Sequence, residues 1–361
     1  MPPPNSLPKL LSTLKSTQLK ILALLTGIPT GGTKPHLISQ LSTSLPTPLI
    51  LSTPFKPSRI LSVDLGLRNL GLCVADITFP PSTMSPKSKS NPPKPKMQVK
   101  HWSLKTLLPP SLEPLIFHPS NLAPLAVSLV RNTLLPHSPS IILVERQRHR
   151  SGSGAAVQEW TVRVNALESM VWAVLATLRS ERSTGGKREE DRFPRVEGVE
   201  PSRVARFWLD GGGKAGVGGM EGLEGLGMAE EGEEAGRKAR RKAKDVKKEK
   251  IGLVRGWLES AETAPFELGF EKEVDGVRDV VLGGKERKSA KSRKGRSRRE
   301  EDGGETGGEV KSEVGEEVKV GKLDDLADCL LQAATWVQWE HNRREIMRRL
   351  DLSLEAEKPK R

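Results

Sequence analysis

The sequence predicts an α/β fold, a five-stranded mixed sheet flanked by helices and preceded by a small helical hairpin, and three observations carry that prediction. Strand-like and helix-like segments follow one another in the order β-β-β-α-β-α-β. The first three strands are joined without helices, as in a meander, and the later ones are separated by helices, so the sheet is mixed. Only 35% of the 361 residues are hydrophobic, with 34 Gly and 27 Pro, so the folded body is smaller than the chain.

Residues 9 to 45 read as a self-contained hairpin. Leu14, Leu19, Ile21, Leu22 and Leu25 suit one helix, Gly27 to Gly32 supply a turn, and Leu37, Ile38 and Leu41 suit a second helix. After a Pro-rich linker, RILSVDLGLRNLGLCVADI (59–77) reads as two strands joined at Gly66 to Asn69, and MQVKHWSL adds a third beyond a Pro/Ser/Lys loop at about 80–96. Leu122 to Leu135 suits a helix, SIILVERQ a short central strand, Val157 to Leu178 a strongly apolar helix, and RVEGVEPSRVARFW a fifth strand and a turn. A helix is expected around Lys247 to Glu259, between Gly-rich or charged insertions expected to be disordered at about 210–244 and 283–321. The last element, KLDDLADCLLQAATWVQWEHNRREI, is a helix with Leu326, Leu330, Ala333, Ala334 and Val337 on one side. The main domain therefore runs from 58 to 345, with 346–361 as a charged tail.

Charge narrows the partners. Lys and Arg outnumber Asp and Glu by 58 to 45, a net charge of +13, with a pI near 9.7. No acidic residue precedes Asp64, whereas Lys9, Lys15, Lys20, Lys34, Lys56 and Arg59 all do, which favours a polyanion over simple solubility. Cys73 and Cys329 have no second Cys or His at metal spacing and are expected to be buried free thiols. No apolar run has the length of a membrane span, so a soluble, intracellular protein is expected. The Ser/Thr-rich, acid-free start is compatible with an organelle transit peptide and equally with DNA binding.

The chemistry lies in four acidic positions. Asp64 sits among Ile60, Leu61, Val63 and Leu65, where a charge is costly unless it coordinates something; a strand-end turn aspartate is the plain alternative. Glu145 follows Ile141, Ile142, Leu143 and Val144 at a strand's carboxyl end, a favoured place for ligands, with a salt bridge to a neighbouring Arg carrying equal weight. Asp325 and Asp328 are i and i+3 on the final helix and share a face, while Asp324 points about 100° away. Acidic residues in a first turn also simply favour the helix dipole, but Asp328 lies deeper, within an apolar run. Converging carboxylates suit hard divalent cations such as Mg²⁺.

Three blocks, VDLGLRNLG, LVERQRHRSG and KLDDLADCLLQA, resemble those of the fungal mitochondrial Holliday junction resolvases, relatives of bacterial RuvC in the RNase H-like superfamily. VQEWTVRVNALESMVWAVL and VEPSRVARFW extend the resemblance over most of 59–210 and 321–345. Leu19, Leu24, Gly27, Ile28, Pro29, Thr30, Gly31, Lys34, Leu37 and Leu41 resemble the SAP module, a small DNA-binding helical hairpin. The resemblance implies an RNase H-like nuclease in which Asp64, Glu145, Asp325 and Asp328 hold two Mg²⁺ ions, Mn²⁺ substituting, with Asp324 an ambiguous neighbour. It implies a homodimer acting on four-way DNA junctions in mitochondria, a nuclear location being the alternative. Arg146, Gln147, Arg148 and Arg150, beside Glu145, are candidate contacts to the DNA backbone, as are Lys15, Lys20 and Lys34 in the hairpin. His149 carries no assigned role. The apolar helix with Trp160, Val164, Leu167, Met170 and Val171 is a candidate dimer surface, with core packing the main role for most of it.

Two other readings compete. VDLGLRNLG also resembles the first phosphate loop of actin-like ATPases, but DGGGKAGVGG (210–219) lacks a preceding strand and a Gly-Lys-Ser/Thr, so it reads as linker and no nucleotide cofactor is expected. A non-catalytic DNA-binding or architectural protein would need the hairpin and basic surfaces alone, and the four carboxylates argue against it.

Overall fold

The structure, a computed structural model, describes residues 6–51, 56–80, 93–108, 118–147, 159–183, 193–210, 243–283 and 323–356. In chain order the elements are α1 (Ser6–Thr13), α2 (Ser16–Leu25), α3 (Lys34–Ser44), β1 (Ser58–Asp64), β2 (Leu70–Thr78), β3 (Lys96–Lys105), α4 (Pro119–Ser128), β4 (Ile141–Glu145), α5 (Glu159–Ser183), β5 (Arg195–Val199), α6 (Pro201–Leu209), α7 (Ala243–Glu259), β6 (Glu267–Phe270), α8 (Asp275–Val281) and α9 (Leu323–Ala356). The helix expected over 122–135 runs on from α4 as a π-helical stretch, Leu129–Leu134.

The sheet has six strands rather than five, in the order β5-β4-β1-β2-β3-β6. β1, β2 and β3 form the antiparallel meander, while β4 joins β1, and β5 joins β4, in parallel. The extra strand, β6, pairs in parallel with the edge of β3. It escapes sequence reading because ELGF is four residues long and only partly buried, too short to establish an alternation. The hairpin turn falls where expected: a Cβ at Gly66 would lie 2.3 Å from the Asn69 carbonyl oxygen, so only glycine fits.

Alternation sorts the side chains onto two faces. Leu61, Val63, Leu72, Val74, Ile142 and Val144 pack against α4 and α5 through residues such as Leu122, Leu167 and Val171. Ile60, Cys73, Ala75, Ile141 and Leu143 face the other way, onto α6, α7 and α9. The final helix was expected to be apolar on one side; instead residues 329–340 are buried all round, because α6, α7 and the N-terminal hairpin cover what the sheet does not. It also continues to Ala356, past the expected boundary at 345.

The hairpin is not self-contained either. Its core of Leu19, Leu22, Leu37 and Leu41 takes in α1 through Leu7 and Leu11, and α9 through Ile346. The insertions expected at 210–244 and 283–321 lie almost wholly outside the described residues, as do most of 80–96 and the last residues of the tail. Among the described residues, no helix is long and apolar enough to cross a membrane.

One buried amide fixes α9 against the sheet. Gln332 Nε2 donates to Ser62 Oγ at 3.0 Å, Leu143 O at 3.2 Å and Val63 O at 3.4 Å, tying the helix to β1 and β4 together. Gln332→Leu is expected to cost about 1–3 kcal/mol by stranding these buried acceptors, measured as a lower urea midpoint at unchanged slope; a loss under about 0.3 kcal/mol would show that the bonds contribute nothing net.

Candidate active site

The same alternation delivers the acidic residues. On β1, Ile60, Ser62 and Asp64 share the α9 face, and on β4 Ile141, Leu143 and Glu145 do the same. Because Ile60 pairs with Ile141 and Ser62 with Leu143, Asp64 and Glu145 end their strands side by side. α9 crosses this face with Gln332 above Ser62 and Leu143. One helical turn earlier is Asp328, and four residues of helix cover about the same length as two of strand, roughly 6 Å. Asp328 therefore arrives over the two strand ends.

Carboxylate oxygens of Asp64, Glu145 and Asp328 all lie within 4.8 Å of one another. Burial pushes the Asp64 carboxyl well above its usual range, and the charges of Glu145, Asp328 and Asp325 add to that against the opposing Lys250. Burial also raises Asp328, with Lys250 working the other way. Asp325 thus acts on Asp64 through its field and has Oδ2 sealed from solvent, but lies outside the set of three that share contact distance. Asp324 is turned toward α7, where Lys247 donates to its Oδ2.

Sequence reading missed two kinds of residue here. Lys247 and Lys250 are i and i+3 on α7, one face of an expected helix, yet nothing local showed that this helix would lie across the start of α9. Lys250 Nζ is 2.5 Å from Asp328 Oδ1 and largely buried with it. Gly71 is the second case: a Cβ there would lie 2.6 Å from the Asp325 carbonyl oxygen and 3.4 Å from Asp64 Cβ, so β2 must carry glycine for α9 to approach. The available signal was a glycine inside an otherwise apolar strand, which marks close backbone approach.

Lys250→Met is expected to destabilise the protein in chelator by about 1–3 kcal/mol, because it leaves Asp328 buried beside three other carboxylates without its cation. Thermal unfolding in EDTA and in excess Mg²⁺ checks this: the deficit should shrink with Mg²⁺, and an equal deficit in both would show that Lys250 acts only through packing.

The candidate DNA contacts divide. Arg146 is exposed, its side chain against Gly198. Gln147 is engaged within the protein: its backbone N–H donates to Glu168 Oε2 at 3.0 Å and its side-chain amide to Leu65 O at 3.3 Å, bracing the ends of β4 and β1. Arg148, His149 and Arg150 lie outside the described residues. Lys15, Lys20 and Lys34 are exposed on the hairpin. Cys73 and Cys329 are buried free thiols, with burial raising both. Helix α5 packs Val164, Leu167, Val171 and Leu175 inward and leaves Val162 54% exposed.

Residues 60–346 match the family model described as mitochondrial resolvase Ydc2 / RNA splicing MRS1. The chain belongs to this family. The match spans all three sequence blocks and begins after the N-terminal hairpin. Among proteins similar to this Ydc2/MRS1 family member, the mitochondrial cruciform cutting endonuclease 1 of Schizosaccharomyces pombe is 29% identical over 203 residues, 55% of this chain and 68% of the relative. The crystal structure of the yeast mitochondrial Holliday junction resolvase Ydc2 superposes with a TM-score of 0.51 at 23% identity, covering 92% of this chain and 95% of the other. At that identity the likeness speaks for a shared fold, and it agrees with the mixed sheet described above.

Proposed function

We propose that this protein is a metal-dependent endodeoxyribonuclease that resolves four-way DNA junctions by paired nicks. The observation that carries the proposal is the convergence of Asp64, Glu145 and Asp328 within 4.8 Å, three half-buried oxygen donors from two strand ends and a helix. Such a donor set suits a hard divalent cation: burial pushes Asp64 and Asp328 upward, and at Asp64 the charges of Glu145, Asp328 and Asp325 add to it, so positive charge at the cluster would be favourable. Mg²⁺, two per site and replaceable by Mn²⁺, fits these residues.

Asp64, Glu145 and Asp328 would hold the metals, with Asp325 adding charge from the same helix turn. When bound, divalent cations make a water nucleophilic near neutral pH and stabilise the departing 3′-oxygen of a phosphodiester. The rest falls to the chain's own groups. Lys250 places an ammonium on Asp328, where it opposes the effect of burial on the carboxylate and offers positive charge at the edge of the cluster. Gln147 holds the β4 end against the β1 exit, fixing the distance between Glu145 and Asp64. Exposed Arg146 stands next to Glu145 and would grip a backbone phosphate, with Arg148 and Arg150 proposed as further contacts. The SAP-like hairpin, with Lys15, Lys20 and Lys34, would add non-specific affinity.

Paired nicks need two copies of the site. A homodimer is proposed through the outer face of α5, where Val162 is exposed, while Val164, Leu167 and Val171 serve the core. The acid-free, Ser/Thr-rich start and the mitochondrial relatives support a mitochondrial location. The test is cleavage of a synthetic four-way junction in Mg²⁺ beside linear duplex. Symmetric nicks at the junction are expected. Binding without cutting, or preference for linear RNA–DNA hybrids, would overturn the reading.

A further inference from the structure

The hairpin's connection to the rest of the molecule is polar, buried and directed at its backbone. Arg343 on α9 is only 6% exposed. Its Nε donates to Thr26 O at 2.7 Å, at the end of α2, and its Nη1 to Ser44 O and Thr47 O, both at 3.0 Å, at the end of α3. One guanidinium therefore satisfies the carbonyl ends of both hairpin helices, where the helix dipoles are negative. Asn342 Nδ2 donates to Leu25 O at 2.7 Å, and Glu340 Oε2 accepts from Leu49 N at 2.6 Å. Burial lowers the Arg343 guanidinium to about 10, a cost that a loosely tethered module would not require.

A second clamp comes from α6, the helix that follows β5. Arg203 donates to the Gly27 carbonyl, and Arg206 Nη1 to Thr30 Oγ1 at 3.2 Å. Gly27 has a φ of +69°, and a Cβ there would lie 2.4 Å from the Trp339 ring, so the α2–α3 loop is seated directly on α9. Arg203 lies near enough to Arg146 for the two charges to repel. Basic groups thus run from Arg146, beside Glu145, through α6 to the hairpin loop, where Arg206, Gly31, Gly32 and Lys34 are exposed.

We propose that Arg206 and Lys34 form a fixed contact for the phosphate backbone of a duplex arm leaving the carboxylate cluster, with Arg343 the positioning residue that holds it in place. This rests on the nuclease reading and adds a site to it. α9 carries Asp328 near one end and Arg343, the hairpin's anchor, about four turns further on, about 22 Å along the axis, which sets the scale of the arm at about six base pairs of duplex. The hairpin is therefore a rest at set distance rather than a module on a tether. Arms that stop short of it lose the contact.

The test compares binding of a four-way junction with arms of about 20 base pairs to one whose opposing arms are cut to about 5 base pairs and closed by loops, in Ca²⁺ so that binding is read without turnover. The wild type is expected to favour the long-armed junction by about tenfold. Arg206→Ala with Lys34→Ala should remove that preference and reduce the salt slope of long-arm binding by about two. Arg343→Met should remove the preference while keeping the salt slope of short-arm binding. Because Arg343→Met strands three carbonyl acceptors and destabilises the fold, the double surface variant, which touches no core residue, carries the decision. A wild type indifferent to arm length, or a double variant that keeps the preference, overturns the proposal while leaving junction cleavage intact. Failure of the wild type to cut any junction overturns the nuclease reading instead.

Discussion

Asp64→Asn is expected to lower junction cleavage by about 10³-fold or more while making the protein more stable in chelator. Both effects have one origin. Asp64 lies within a repulsive set, pushed upward by burial and by Glu145, Asp328 and Asp325 in turn. A neutral amide of the same shape relieves that repulsion when no metal is bound, which should raise the unfolding midpoint in EDTA by about 2–4 °C for each kcal/mol recovered. The amide also removes the negative oxygen on which the proposed metal site depends, and groups that act as a unit lose most of the rate when any one is removed. Single-turnover cleavage and thermal unfolding, each with EDTA and with Mg²⁺, measure the two sides. The rise in midpoint that Mg²⁺ is expected to give the wild type should be largely lost in the variant. Cleavage above a tenth of the wild-type rate would remove Asp64 from the centre of the site.

Gly71→Ala should produce the opposite pairing, a protein both less stable and less active, without touching a charged group. The new methyl would sit 2.6 Å from the Asp325 carbonyl oxygen, a backbone atom with no rotamer to yield. Either β2 or the first turn of α9 must move. Overpacking of this kind costs about 1–3 kcal/mol, and a displacement near 1 Å at a reacting centre is worth about 10²-fold in rate. The shift would carry Asp325 and Asp328 away from Asp64 and Glu145, so weaker Mg²⁺ dependence of stability should accompany the loss. A variant with wild-type cleavage and stability would mean that α9 has slack at this point.

Much of the architecture was legible because its signals are local. Alternation in RILSVDLG and the apolar run IILVE place Asp64 and Glu145 at strand ends, and a period of two decides which face they share. The i, i+3 spacing of Asp325 and Asp328 is likewise a property of a few residues. The three sequence blocks led to the right family because they hold these positions in order. What local spacing did not settle is which aspartate of the final helix comes closest: Asp328 joins the set at contact distance, Asp325 acts from beside it, and Asp324 turns to Lys247.

β6 was illegible because four half-exposed residues establish no period, and the burial of α9 on all sides because its polar residues read as a solvent face. Gln338, Glu340, Asn342, Arg343 and Glu345 are buried, most of them bonded across some 290 to 320 positions of chain. No periodicity marks a polar residue whose partner is a carbonyl that far away.

The sequence by itself therefore determined the strand ends that carry Asp64 and Glu145, the helix that carries Asp325 and Asp328, the basic start and the family. Each depends on spacing within a turn or a strand. Only the tertiary structure decided that Asp328 meets the strand ends, that Lys250 lies on it, that Gly71 leaves room for the approach, and that Arg343 locks the hairpin to the same helix. Those depend on how α7, α9 and the hairpin pack across the sheet, and packing between distant segments is set by shape and by buried polar partners that a local pattern does not contain.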